Sequence, residues 1–95
     1  MVIRASSFFV KRFLKIESLG VLFLETAALG GRRRFGFDQI EHVIMSPSNV
    51  LSFQVGSEIF SIPTKPQKAK HQQAINALLA GVRKQMTAFP VIPPR

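Results

Sequence analysis

PQKAKHQQAINALLAGVRKQMTAF, residues 66–89, is the stretch whose reading decides the fold. Within it Ile75, Leu78, Leu79, Val82, Met86 and Phe89 recur at helical spacing, and at 100° per residue they fall on one stripe. Such a stripe is stable in water only when something covers it, and the residues before it alternate as β-strands do. The expected architecture is therefore mainly β with one C-terminal α-helix over about residues 66–88. Lys68 and His71 share the stripe with Ile75, so the helix is expected to overhang the core at its start, with His71 at the rim. Thr64 is the expected N-cap, and Pro66 sits in the first turn, where its missing N–H costs nothing. Gly81 lies off the stripe and costs about 1 kcal/mol against Ala unless a neighbouring backbone comes close. Phe89-Pro90 stops the helix, and residues 89–95 form an extended tail.

Immediately upstream, residues 50–55 and 58–62 are separated by Gly56-Ser57, with Gly at the first central position of a type II′ turn. If Val55 faces Glu58, then Phe53 faces Phe60 and Leu51 faces Ile62. Turn and hydrophobic pattern choose the same register, and a one-residue slip would break the match. Further back, residues 8–17 alternate, with Phe8, Val10, Leu14 and Ile16 on one side and Phe9, Lys11, Phe13, Lys15 and Glu17 on the other. A helix competes here, because Phe9, Phe13 and Ile16 also share a helical face, but a strand is preferred. Ser18-Leu19-Gly20 turns the chain into a second strand over residues 21–26. Gly30-Gly31 offers the φ > 0 positions of the next hairpin. The returning strand over residues 32–37 alternates, with Arg33, Phe35 and Phe37 on one face and Arg32, Arg34 and Gly36 on the other. Ile40 and Val43 are three apart, which suits a single helical turn capped by Asp38, with strand resuming over residues 43–46.

Ninety-five residues make a single domain spanning 1–95, with strands over about residues 8–63 and little core to spare. The chain has no Cys, which removes disulfides and thiolate chemistry and fits a cytoplasmic protein. Charges interrupt the apolar run near the N-terminus, so neither a signal peptide nor a transmembrane helix is expected. The formal net charge is +8, and no acid follows Glu58. Basic residues gather as Lys11, Arg12 and Lys15, as Arg32, Arg33 and Arg34, and as Lys65, Lys68 and Lys70. Charge of this kind is an argument about partners: an acidic protein, an anionic membrane surface or nucleic acid.

Phe37-Asp38-Gln39-Ile40-Glu41-His42-Val43, then Leu51-Ser52-Phe53 with Phe60-Ser61-Ile62, then the helix, resemble the bacterial members of the pleckstrin-homology-like superfamily over residues 8–88. The resemblance implies a split barrel of two near-orthogonal antiparallel sheets capped by the helix. It implies no catalytic activity, since this fold hosts binding to lipids, peptides and proteins and some bacterial versions oligomerise. The lipid-binding members use basic residues flanking the loop between their first two strands. That loop is expected here at residues 17–20, which hold none; Lys15 is nearest, and Arg32 and Arg34 join it only if the strands place them alongside.

Five acids and two His leave few catalytic groupings. Asp38, Glu41 and His42 share a helical face, but a capping Asp in a solvated turn is the preferred account. No Gly-rich loop follows a strand and opens a helix, so no phosphate cradle is expected. The Pro90-Val91-Ile92-Pro93-Pro94-Arg95 tail has two Pro three apart before Arg, as polyproline ligands do, although a plain terminus is preferred. The resulting expectation is a non-catalytic interaction module without cofactor, metal or small-molecule substrate. It would bind a protein, itself or an anionic surface through Lys11, Lys15, Arg32, Arg33, Arg34, Lys65, Lys68, Lys70 and His71 and through its sheet edges. The alternative is a nucleic-acid-binding protein using Arg32–Arg34 and the lysines at the helix start.

Overall fold

Among the described residues seven strands precede the helix, and they pair only with chain neighbours, as expected where short turns join antiparallel strands. The computed structural model describes residues 1–6, 10–26 and 31–88. Strands β1 (Val2–Ser6), β2 (Lys11–Ile16), β3 (Gly20–Glu25) and β4 (Arg32–Gly36) form one antiparallel sheet in that order. A 3₁₀ turn (Phe37–Gln39) leads into β5 (Ile40–Met45), β6 (Val50–Val55) and β7 (Glu58–Pro63), which form a second. Helix α1 (Ala69–Ala88) follows. No helix among the described residues is long and apolar enough to cross a membrane.

The β6–β7 hairpin has the register that its sequence implies: Val55 opposite Glu58, Phe53 opposite Phe60, Leu51 opposite Ile62. Gly56 turns it at φ 61°, a conformation costly for any residue with a Cβ. Residues 11–16 are strand, which removes the competing helix, and their alternation puts Leu14 and Ile16 inside and Lys11 and Lys15 outside. Phe8, Phe9, Gly30, Phe89 and the Pro-rich tail lie outside the described residues.

Several local expectations are overturned. The strands begin at Val2, not near residue 8: β1 pairs along β2 from Val2 opposite Lys15 to Ser6 opposite Lys11, and Ile3 is fully buried. Residues 17–20 therefore join the second and third strands, not the first two. The turn near Asp38 comes earlier than expected. It spans Phe37–Gln39 after Gly36, whose N–H donates to Gln39 Oε1 at 2.8 Å, and Asp38 lies inside it rather than capping it. Ile40 already belongs to β5, where a bulge between Ile40 and His42 disturbs the period that suggested a helical turn.

The helix starts at Ala69, three residues later than expected, because Thr64 has another task. Its N–H and its hydroxyl both donate to the carbonyl of Asn49, at 2.9 and 2.7 Å. Those bonds pin the end of β7 to the β5–β6 turn and hold the Thr64 hydroxyl on Asn49, five residues before the helix begins. Along α1 the buried face is Ala74, Ile75, Leu78 and Val82, whereas Leu79 remains 38% exposed at its margin. The helix packs across β1, β2, β3 and the 3₁₀ turn, over Ile3, Leu14, Ile16 and Val21.

Gly81 is explained by a side chain, not a backbone: a Cβ there would overlap the buried Phe37 ring. In an exposed helix Gly→Ala gains about 1 kcal/mol, but overpacking a filled contact costs about 1–3 kcal/mol. Gly81→Ala is thus expected to lower unfolding free energy by about 1 kcal/mol or more in urea titration. A stabilised variant would show that Phe37 does not pin the helix.

Candidate anion-binding site

Opposed residues of antiparallel strands share a sheet face, so the register of the four-stranded sheet shows which cations stand together. One row on the face away from the core runs Val2, Lys15, Leu22, Arg34. The next runs Arg4, Phe13, Leu24, Arg32, and Lys11 lies opposite Ser6 beyond it. Arg4 and Arg32 thus end a row whose centre is Phe13 and Leu24, both half-buried. The Arg4 guanidinium stands 5.5 Å from the Phe13 ring centroid, within cation–π range. Lys15 and Arg34 lie two strands apart, roughly 10 Å at a strand spacing of about 4.8 Å. The strands do place Arg32 and Arg34 on the face of Lys15.

The Arg32-Arg33-Arg34 run is split by the same alternation. Arg33 turns to the opposite face, 5.4 Å from the centroids of both Phe35 and Phe60, and pairs with Glu58 at 3.0 Å. Arg34 pairs with Glu17 at 2.9 Å, and Arg12 with Glu25 at 2.7 Å. These are exposed or half-exposed pairs, each worth about 1 kcal/mol or less, but they spend three cations on three of the five acids. Among the described residues, Arg4, Arg32, Lys11, Lys15, Lys65, Lys68 and Lys70 have no ion pair. Arg83, later in α1, also has no ion pair among the described residues, while these seven stand on the outer face of this sheet and around the start of α1.

Those regions meet at a cleft of about 380 Å³ between the end of β1, the start of β2 and the β7–α1 connection. Arg4, Arg12, Thr64, Lys65, Lys68 and His71 line it. Lys70 borders an adjoining hollow that shares Arg4, Lys68 and His71. His71 is not the expected rim residue. It is only 8% exposed, and its Nδ1 accepts the Lys65 N–H at 2.9 Å. Because the turn at residues 65–68 brings the chain back over the first helical turn, the ring closes that turn as a side-chain plug. An accepting Nδ1 places the imidazole proton on Nε2.

Arg4 was missing from the expected set because β1 itself was missed; the Val-Ile-Arg-Ala alternation was its available signal. Asp38, Glu41 and His42 are all exposed, and no three His, Asp or Glu groups among the described residues converge as metal ligands. No protein-family model matches the chain, and no curated protein or solved structure matches it.

Burial first, and then the charges of Lys68 and Lys65, hold the His71 pKa below the ordinary histidine value. A folded pKa lower than the unfolded one means that the unfolded chain takes up the proton first as pH falls. The His71 contribution is complete above the unfolded value of about 6.5 and is lost as pH drops through it toward the folded value. Protonation also removes the acceptor for the Lys65 N–H. Urea midpoints are therefore expected to fall between pH 7.5 and 5.5. His71→Gln, whose amide oxygen can still accept, should show a shallower fall; an identical slope in both proteins would refute the assignment.

Proposed function

We propose that the chain is a non-catalytic interaction module of the pleckstrin-homology-like type, docking on an anionic lipid surface through the outer face of its four-stranded sheet. A four-plus-three arrangement of antiparallel strands followed by one C-terminal helix supports the type. The observation that carries the function is the cross-strand row Arg4, Phe13, Leu24, Arg32, with Lys11 and Lys15 on the same face. Apolar groups enter the headgroup boundary while flanking cations attract acidic lipid, and neither component suffices alone. Pairing of Arg33 with Glu58 on the other face argues against nucleic acid, since it removes the middle of the arginine run.

Each cation near an acidic bilayer contributes about 1 kcal/mol, so K11Q/K15Q/R32Q together should weaken partitioning about a hundredfold. Sedimentation with phosphatidylglycerol vesicles measures it, with phosphatidylcholine vesicles and a single-stranded oligonucleotide as the other arms. Phe13→Ala should weaken the vesicle arm at salt concentrations that screen charge. Retention on the oligonucleotide without retention on vesicles would overturn the lipid reading.

A further inference from the structure

The cleft beside His71 goes beyond that reading, because it is a concave site where donors converge rather than a flat charged face. Four observations meet there. Arg4, Lys65 and Lys68 reach it from β1, from the β7–α1 connection and from the start of α1, and none has an ion pair among the described residues. Arg12 forms part of the wall, but Glu25 already holds it at 2.7 Å. His71 is more than nine-tenths buried, its Nδ1 satisfied by the Lys65 N–H, while Nε2–H has no partner among the described residues and no buried nitrogen is left unpaired. Nε2 therefore keeps some contact with solvent, and His71 lines both this cleft and the adjoining hollow.

The fourth observation is the helix start. The Gln72 N–H donates to Lys68 O, so the N–H groups of Ala69, Lys70 and His71 precede the first intrahelical bond. Lys68 offers no side-chain oxygen to cap them, and the first turn of the helix holds no acidic residue to offset the positive end of the helix dipole. Lysines at a helix N-terminus are electrostatically misplaced unless an anion stands before them.

We propose that this cleft binds a phosphate monoester group, held by the Nε2–H of His71 and the side chains of Arg4, Lys65 and Lys68. A tetrahedral dianion matches several donors arriving from three directions, whereas a carboxylate presents only two oxygens. The volume of about 380 Å³ leaves room for the organic group that carries the phosphate. The depressed His71 pKa describes the site without its anion: after burial, the charges of Lys68 and Lys65 lower it, and Arg4 and Arg12 line the same cleft, with Lys70 on the adjoining hollow. A bound dianion opposes all of them, so binding should raise the pKa of His71.

The test is a titration of the full, isotope-labelled chain with inorganic phosphate at constant ionic strength, observing the His71 ring nitrogens and the amides of residues 69–71. Saturable shifts that chloride does not reproduce, with the His71 pKa moving up, are the expected result. Arg4→Gln and Lys68→Gln, exposed and outside any ion pair, should each weaken phosphate binding about tenfold, the loss of one charge-assisted contact. K11Q/K15Q/R32Q should leave it unchanged, so failure of the sheet-face reading and failure of this one are separable. Non-saturating shifts equal to those with chloride, or undiminished binding in both the Arg4 and Lys68 variants, would overturn the proposal. Vesicles containing phosphatidic acid compared with phosphatidylglycerol at equal charge identify the source. A preference lost in Lys68→Gln marks a lipid headgroup, and its absence alongside saturable phosphate binding marks a soluble ester.

Discussion

Four phenylalanines hold the two sheets together. No hydrogen-bonded ladder joins them among the described strands, so their relative position rests on side chains from both. Phe23 and Phe35 come from the four-stranded sheet, and Phe53 and Phe60 from the three-stranded one. Their ring centroids lie between 4.9 and 6.1 Å apart across the interface, edge-on or tilted, while Phe53 and Phe60 stack within their own sheet. Such geometry suits the aromatic quadrupole and adds about 0.5–1.5 kcal/mol per pair to the area it buries. A chain with nine Phe and neither Trp nor Tyr can fill this interface without burying a polar handle.

The cluster also governs the charge pattern. Arg33 from β4 lies against Phe35 and Phe60 and reaches Glu58 on β7, covering the exposed side of the aromatic contact with a pair that spans both sheets. Arg32 and Arg34, its sequence neighbours, necessarily face the other way, which turns one basic run into a structural cation and two surface ones. The outer face thereby acquires its rows, and its charge becomes a consequence of how the aromatic core closes.

The helix is seated by two contacts at opposite ends of its buried face. At the far end of that face, Gly81 admits the Phe37 ring from the corner between the sheets. At its start, His71 accepts the N–H of Lys65 and ties the first turn to the incoming chain. Between them Ala74, Ile75 and Leu78 complete the core beside Ile3 and Leu14. The same seating brings Lys65 and Lys68 toward β1. The cleft is therefore a by-product of helix docking, formed from segments about sixty residues apart in the chain.

Much of the fold was legible because its signals are local. The hairpin at residues 50–63 carries its register in Gly56-Ser57 and in the matched Leu51–Ile62 and Phe53–Phe60 pairs, and residues 11–16 show inward Leu14 and Ile16 plainly. Where an expectation failed, a distant group had intervened. β1 is short, with Ile3 its one fully buried side chain, so its pattern is too weak to see without β2 beside it. Thr64 looks like a cap until the Asn49 carbonyl is seen to hold its N–H and hydroxyl at the end of β7.

By itself, the sequence determined the element types, the alternating faces, the absence of thiol chemistry and the excess of positive charge, all properties of residues near one another in the chain. Only tertiary structure decided which cations stay unpaired, which arginine is spent on the aromatic interface and that His71 is buried. Those outcomes depend on what reaches a residue through space. The C-terminal helix shows the division: its apolar stripe is written in the sequence. The site at its first turn exists only because β1 and the β7–α1 connection close around it.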